Sequence, residues 1–94
     1  MKLNFEWDEE KAKANLKKHR ISFEEATMVF SDPCSITIYD SGHSVDEQRY
    51  IDIGSSDKSR VLVVFYTERG SSIRIISCRK ATPSEQKLYE EGNE

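Results

Sequence analysis

The sequence has no long apolar run and few cysteines or histidines, and these shortages exclude several classes of protein. No stretch approaches the ~20 apolar residues of a membrane-spanning helix, and the opening residues, MKLNFEWDEEK, have no apolar segment typical of a secretory signal. The 2 cysteines and 2 histidines lack the spacing of a zinc site. We therefore expect a cytoplasmic protein with reduced thiols, no bound metal and no other cofactor.

The charge is unevenly distributed along the chain. The net charge of −3 argues mildly against nucleic-acid binding when the protein is taken as a whole. Residues 47–80, however, hold 7 basic and 4 acidic side chains, whereas residues 1–46 and 81–94 each carry a net −3. The basic segment therefore lies between two acidic flanks. Ordinary solubilising surface charge explains this asymmetry as well as ligand binding does.

The most continuously apolar stretch, Val61–Lys80, predicts a β-hairpin at the centre of a sheet. Its two runs, VLVVFYTE and SIRIISCRK, are rich in β-branched and aromatic residues. Gly70 lies in the connection, where a tight turn needs a positive φ. With 94 residues, the chain has room for one small domain, residues 1–94.

The remaining segments predict helices and strands around this hairpin. Alternation predicts strands near residues 3–7, 35–40 and 47–54. Asp8 predicts the start of a helix that ends near His19, and the second helix spans roughly Phe23–Phe30. Two capping boxes, Ser22 with Glu25 and Thr82 with Glu85, predict the starts of the second and last helices. The order β-α-α-β-β-β-β-α indicates an α+β fold, a mainly antiparallel sheet with helices packed on one face.

Three stretches cover most of the predicted domain: FEWDEEKAKANLKKHRISFEEATMVFSDP at residues 5–33, DEQRYIDIG at 46–54 and VLVVFYTERGSSIRIISCRKATPSE at 61–85. Together they resemble the BrnT-type toxins of bacterial type II toxin–antitoxin systems. The resemblance implies a RelE-like ribonuclease fold, metal-independent RNA cleavage that inhibits growth, and a complex with a cognate DNA-binding antitoxin. DNA would then be contacted only indirectly, through the antitoxin, and no membrane would be involved.

Metal-free cleavage of RNA needs cations around the reacting phosphate, and Arg74 and Arg79 are the first candidates. The planar guanidinium group pairs with two phosphate oxygens and stays charged at any relevant pH. A structural explanation is open for each residue. Arg74 would pair inside the sheet with a carboxylate, that of Glu47, Asp52 or Glu68. Arg79 would cover a helix end.

The spacing of these two arginines presents a geometric difficulty. They are five positions apart, so a regular strand sends them to opposite faces, ~16 Å apart. The adjacent apolar residues Ile75 and Ile76 indicate a bulge that reverses the alternation. With such a bulge, both guanidinium groups share one face.

The other candidates move protons or hold the substrate. Glu47 and His19 are candidate proton-transfer residues, since the pKa of histidine is normally near ~6.5. Glu47 is equally explained by a surface ion pair with Arg49, and His19 by the C-terminal end of its helix. We expect substrate binding from Arg49, Lys18, Lys80 and Tyr50, although tyrosine in so small a domain is more often part of the core.

The leading hypothesis is an endoribonuclease toxin whose active surface is the open sheet face beneath or beside the last helix. The alternative is a non-catalytic module whose basic sheet face docks a segment of a partner protein. A regulator that contacts DNA by itself is disfavoured, because no recognition-helix pattern is present.

Overall fold

A five-stranded sheet with three helices forms the described part of the chain, residues 3–40 and 48–92 of a computed structural model. The strands are β1 (Asn4–Glu6), β2 (Ile36–Asp40), β3 (Arg49–Ser55), β4 (Val61–Arg69) and β5 (Ser72–Lys80). The helices are α1 (Glu9–His19), α2 (Phe23–Thr27) and α3 (Pro83–Glu91). The predicted order of elements is confirmed. The second helix ends earlier than predicted, because Met28–Ser31 forms a 3₁₀ turn instead.

The strands lie in the order β1-β5-β4-β3-β2. All neighbours are antiparallel except β1, which runs parallel to β5. The hairpin of β4 and β5 occupies the middle of the sheet, as predicted, and Gly70 in its turn has a φ of 60°. Strands β2 to β5 are neighbours both in sequence and in the sheet, whereas β1 comes from the start of the chain and pairs with β5, the last strand.

One face of the sheet, here called the helix face, packs against α1 and α2. Inward-facing side chains of β4 and β5 meet apolar residues from the segment that contains α2. Each fully buried side chain of this size contributes roughly 1.5–3 kcal/mol relative to exposure. The helix-face core contains Ile21, Phe23, Ala26, Val29, Leu62, Val64, Tyr66, Ile73, Ile75 and Cys78.

Strand alternation sends the intervening side chains to the opposite face, here called the open face. The register of β2 through β5 places these residues in line with one another across the sheet. The open face carries Ile36, Ile38, Asp40, Arg49, Ile51, Ile53, Val63, Phe65, Thr67, Arg74, Ser77 and Arg79.

Helix α3 covers one end of the open face. Glu85 in its first turn pairs with Arg79, and the Tyr89 hydroxyl donates to Asp32 at 2.6 Å. Just after the helix, Gly92 lies against Ile36. Beneath this end, Ile53 and Val63 are only 2% and 0% exposed. The other end of the open face, around Arg49 and Arg74, remains accessible beside α3.

The helix caps follow the sequence prediction with one difference. Asp8 accepts hydrogen bonds from the backbone at the start of α1, and Thr82 and Glu85 form the full capping box of α3. Ser22 likewise accepts from the backbone of Glu25. The Glu25 side chain does not return the bond, however, because it is turned into the protein toward Arg60.

Glu25 and Arg60 form a largely buried ion pair that ties α2 to the β3–β4 connection. Arg60 donates from Nε and Nη2 to the two carboxylate oxygens at 2.7 and 2.6 Å, and Ser56 Oγ adds a third bond at 2.7 Å. The Glu25 side chain is 3% exposed. Hydrogen bonds from Arg60 are the largest cause that lowers the pKa of Glu25.

No helix within residues 3–40 and 48–92 is long and apolar enough to cross a membrane.

Replacing Arg60 with alanine should lower the free energy of unfolding by about 3 kcal/mol at pH 7, because the buried Glu25 carboxylate loses its partner. The pKa of Glu25 is lowered in the folded state, so its stabilisation is complete above the pKa of the unfolded chain. It is lost as the pH falls through the lower folded value. Urea denaturation between pH 7 and pH 3 measures both effects.

The matched control is Lys58→Ala, which removes an exposed cation from the same connection. Its free energy of unfolding should stay within about 0.5 kcal/mol of the parent value. Equal stability of the Arg60→Ala and parent proteins at pH 7 would contradict the role assigned to this pair.

Candidate functional site

A β-bulge in β5 brings Arg74 and Arg79 to the same face. Phe65 pairs with Ser77, but the next residue, Tyr66, pairs with Ile75, so Ile76 is an extra residue in β5. The extra residue reverses the alternation, which confirms the predicted bulge. Ile75 and Cys78 both point into the core, while the two arginines point to the open face.

A row of polar side chains crosses the open face from edge to edge. In register, it contains Asp40, Arg49, Thr67, Arg74 and Glu6, one residue from each strand. Neighbouring strands lie about 4.8 Å apart. Arg49 and Arg74 therefore lie in register on either side of Thr67, with an acidic residue at each end of the row.

Both predicted cations are paired with carboxylates, yet both remain accessible. Arg74 Nη1 lies 3.0 Å from Glu6 Oε2, and these side chains are 30% and 40% exposed. The partner is Glu6, not Asp52 or Glu68 as the structural alternative predicted. Glu6 comes from β1, whose pairing with β5 joins residues far apart in sequence. An exposed pair of this kind contributes only about 0–1 kcal/mol.

Arg79 has the stronger partner. It makes a bidentate pair with Glu85, at 2.7 and 2.8 Å, and its guanidinium carbon lies 5.6 Å from the centre of the Phe65 ring. Arg79 is the main cause that lowers the pKa of Glu85 to about 2. Arg79 thus anchors the start of α3, as the structural alternative predicted, and still presents a third of its side chain to solvent.

Two shallow hollows meet at the bulge. One, of about 220 Å³, is on the open face and is lined by Asp40, Arg49, Phe65, Ile76 and Ser77. The other, of about 230 Å³, lies between α1 and β5, and its lining includes Lys18 and His19 together with the same Ile76 and Ser77. The predicted proton-transfer residue His19 is therefore separated from the open face by the width of β5.

Asn15 holds α1 against β5 at this point. Its Oδ1 accepts from the backbone N–H of Cys78 at 3.0 Å, and its Nδ2 donates to the carbonyl of Ile21. Helix α1 ends at His19 because Arg20 adopts a left-handed conformation, with a φ of 61°. These contacts place the basic end of α1 beside the bulge.

The structure does not bring every predicted residue to the open face. Tyr50 and Lys80 are in register with Tyr66 and Leu62, which places them on the helix face. The Tyr50 ring also stacks on Tyr66, with centroids 5.6 Å apart. The predicted residue Glu47 lies outside the described residues.

Sequence reasoning missed several residues of this surface. Phe65, Thr67 and Ser77 were detectable from the alternation of β4 and β5, once the bulge was assumed. Asp40 and Glu6 were not, because their positions depend on the register of β2 and β1. Across residues 3–40 and 48–92, no group of three or more metal-ligating side chains is found.

The comparison with protein families shows to which family this chain belongs. A family model described as the ribonuclease toxin BrnT of type II toxin–antitoxin systems matches residues 7–85. The chain belongs to the BrnT toxin family. The crystal structure of the Brucella abortus ribonuclease toxin BrnT has a TM-score of 0.63 and 23% sequence identity, and the match covers 86% of this chain and 99% of that one. No curated protein matches.

This membership confirms the resemblance seen in the sequence. The shared fold is that of the Brucella BrnT structure. The family is one of ribonuclease toxins, so this BrnT chain is an endoribonuclease toxin and the enzyme interpretation is favoured over the non-catalytic module.

The bulge in this BrnT toxin predicts different reactivities for its two cysteines. Cys34 is exposed, whereas Cys78 is fully buried, and burial raises the pKa of the Cys78 thiol to about 12. We expect a maleimide to label one thiol in the folded protein and two in urea, counted by mass spectrometry. The Cys34→Ser variant is the control and should not be labelled when folded. Rapid labelling of Cys78 would contradict the register that directs Arg79 outward.

Proposed function

We propose that this BrnT toxin cleaves RNA without a metal ion on its open face, beside α3. One observation carries the proposal: the bulge at Ile76 places Arg74 and Arg79 on the same face, with both side chains about one-third exposed. Arginines on a strand that is otherwise apolar need a partner or a function. The pairs with Glu6 and Glu85 are accessible to solvent and can be exchanged for phosphate.

Cleavage of this kind needs a base for the 2′-OH proton, cations for the developing charge, and an acid for the 5′-oxygen. Arg74 and Arg79 supply the cations, one at the reacting phosphate and one at its neighbour. Each guanidinium group moves from a carboxylate oxygen to a phosphate oxygen, so it always has an anionic partner.

The proton-transfer residues are His19 and Glu47. His19 lies in the hollow that shares Ile76 and Ser77 with the open face, so an RNA strand that crosses the edge of β5 reaches both sides of the bulge. Lys18 is next to it on α1, and Arg49 lines the hollow on the open face. These two cations hold the backbone of the RNA on either side.

A cognate antitoxin is the second partner, as expected of a type II system. We propose that it is a DNA-binding protein that covers the open face and so blocks Arg74 and Arg79. The enzyme then acts in the cytoplasm when the antitoxin is removed, and growth stops because RNA is cleaved.

Purified toxin should cleave single-stranded RNA in excess EDTA, and Arg74→Ala and Arg79→Ala should each lower kcat/KM about 10²–10³-fold. This is the usual effect of removing one group that stabilises charge in the transition state. Cleavage of a fluorescently labelled RNA measures the rate. Lys13→Ala is the control, since it removes an exposed cation of α1 that lies outside the two hollows at the bulge.

The mechanism would be wrong if cleavage required a divalent metal, or if it survived the loss of both arginines. Circular dichroism of each variant separates a catalytic defect from unfolding.

Co-expression with the cognate antitoxin should restore growth, and the purified complex should protect the open face from solvent. We expect slower hydrogen exchange in β5 of the complex than in the toxin alone, measured by mass spectrometry. The exposed surface of α1 around Lys13 and Leu16 serves as the internal control. Protection confined to α1 would place the antitoxin on the wrong surface for this proposal.

A further inference from the structure

A buried hydroxyl on the open face has no hydrogen-bond partner among the described residues. It belongs to Thr67 in β4, whose side chain is only 1% exposed. Buried polar groups without a partner are rare in folded proteins, and they are destabilising. The side-chain hydroxyl of Thr67 therefore calls for a physical reason.

The position of Thr67 in the polar row provides one. Thr67 pairs with Arg49 on one side and with Arg74 on the other. The Cα atoms of these two arginines are thus about two strand spacings, or roughly 10 Å, apart. The unsatisfied hydroxyl therefore lies on the strand between those of the two arginines and on the same face of the sheet as both.

We propose that Thr67 binds a phosphate of the RNA substrate, with Arg49 and Arg74 on either side of it. Each guanidinium fork pairs with phosphate oxygens, and the Thr67 hydroxyl donates to another oxygen of the same group. The identity of the anion as an RNA phosphate rests on the proposed function. The conclusion that the Thr67 hydroxyl needs a hydrogen-bond acceptor does not rest on the proposed function.

The ion pair between Arg74 and Glu6 is weak enough for Arg74 to change partners. Thr67 is buried in the row between Arg49 and Arg74, which are themselves only partly buried. The pair with Glu6 is a single contact of 3.0 Å between exposed groups. Glu6 and Thr67 lie on opposite sides of β5, so Arg74 moves toward Thr67 when it turns from Glu6 to a phosphate. An arriving phosphate thus replaces Glu6 and satisfies Thr67 in one step.

The test uses Thr67→Val, which removes the hydroxyl and keeps the shape of the side chain. The probe is a 2′-O-methyl RNA oligonucleotide, which lacks the 2′-OH and so reports binding without cleavage. We expect Thr67→Val to weaken binding about ten- to a hundredfold, the effect of losing a hydrogen bond to a charged group. The midpoint of urea unfolding should be unchanged or higher, because an unsatisfied buried hydroxyl is lost.

The salt dependence of oligonucleotide binding distinguishes the loss of the Thr67 hydrogen bond from the loss of a positive charge. The slope of log Kd against log salt should be unchanged in Thr67→Val and should decrease by about 0.7 in Arg74→Ala, since only the latter removes a phosphate-neutralising cation. Thr67→Ser retains the hydroxyl and should bind the oligonucleotide as the parent does. Thr27→Val is the matched control, because Thr27 donates to Glu24 within α2 and should not affect binding.

Parent-like binding by Thr67→Val would overturn the proposal, as would binding by Thr67→Ser as weak as that of Thr67→Val. Failure of the parent protein to bind the oligonucleotide would also overturn it. If the oligonucleotide binds in a Thr67-dependent way but RNA is not cleaved, the phosphate site is supported and the proposed nuclease mechanism fails.

Discussion

The geometry of the open face depends on one extra residue in β5. If Ile76 paired with β4 as a regular residue, the alternation would continue without interruption and every later side chain of β5 would move to the opposite face. Cys78 would then leave the core, and Arg79 would enter it. The bulge lets the apolar residues before and after it point inward, while Arg74 and Arg79 both reach solvent. Core packing and the cationic surface are therefore compatible only because of this irregularity.

Two kinds of ion pair have different effects in this molecule. Glu25 is buried and has three hydrogen bonds, so its pair with Arg60 holds α2 to the sheet and resists exchange. Glu6 is exposed and meets Arg74 through one bond. Removal of Arg60 would leave the charge of Glu25 buried without its partner. Arg74, in contrast, can leave Glu6 for another anion at a cost of about 1 kcal/mol or less. The exposed pair is therefore suited to a surface that must bind an anion.

This contrast also makes the proposed binding of RNA compatible with a net charge of −3. Acidic side chains of the open face lie next to its arginines: Glu6 beside Arg74, Glu85 beside Arg79. They lower the net charge of the protein while leaving each guanidinium group in place. In the proposed mechanism, the attraction for RNA is local and develops where phosphate replaces a carboxylate.

The sequence predicts those parts of this arrangement that depend on neighbours along the chain. Adjacent Ile75 and Ile76 indicate the bulge, and the Thr82 and Glu85 pattern indicates the start of α3, because both features are local. The partners of Arg74 and Glu25 were not predictable. Glu6 reaches Arg74 only through the parallel pairing of β1 with β5, and Arg60 is 35 residues from Glu25. Such contacts depend on the assembled sheet, and alternation alone carries no information about strand order.

The same limit applies to Thr67, because the sequence predicts only that this residue lies in a strand. Its hydroxyl matters only because β3 and β5 place arginines on both sides of it. A valine there would suit the surrounding strand better, as β4 is otherwise apolar at its centre. The helix-face core and the Glu25–Arg60 pair provide the stability that lets β4 keep an unsatisfied group. A sheet that carries this group on one face with Arg49 and Arg74, on the strand between theirs, needs little rearrangement to bind the anion that we propose.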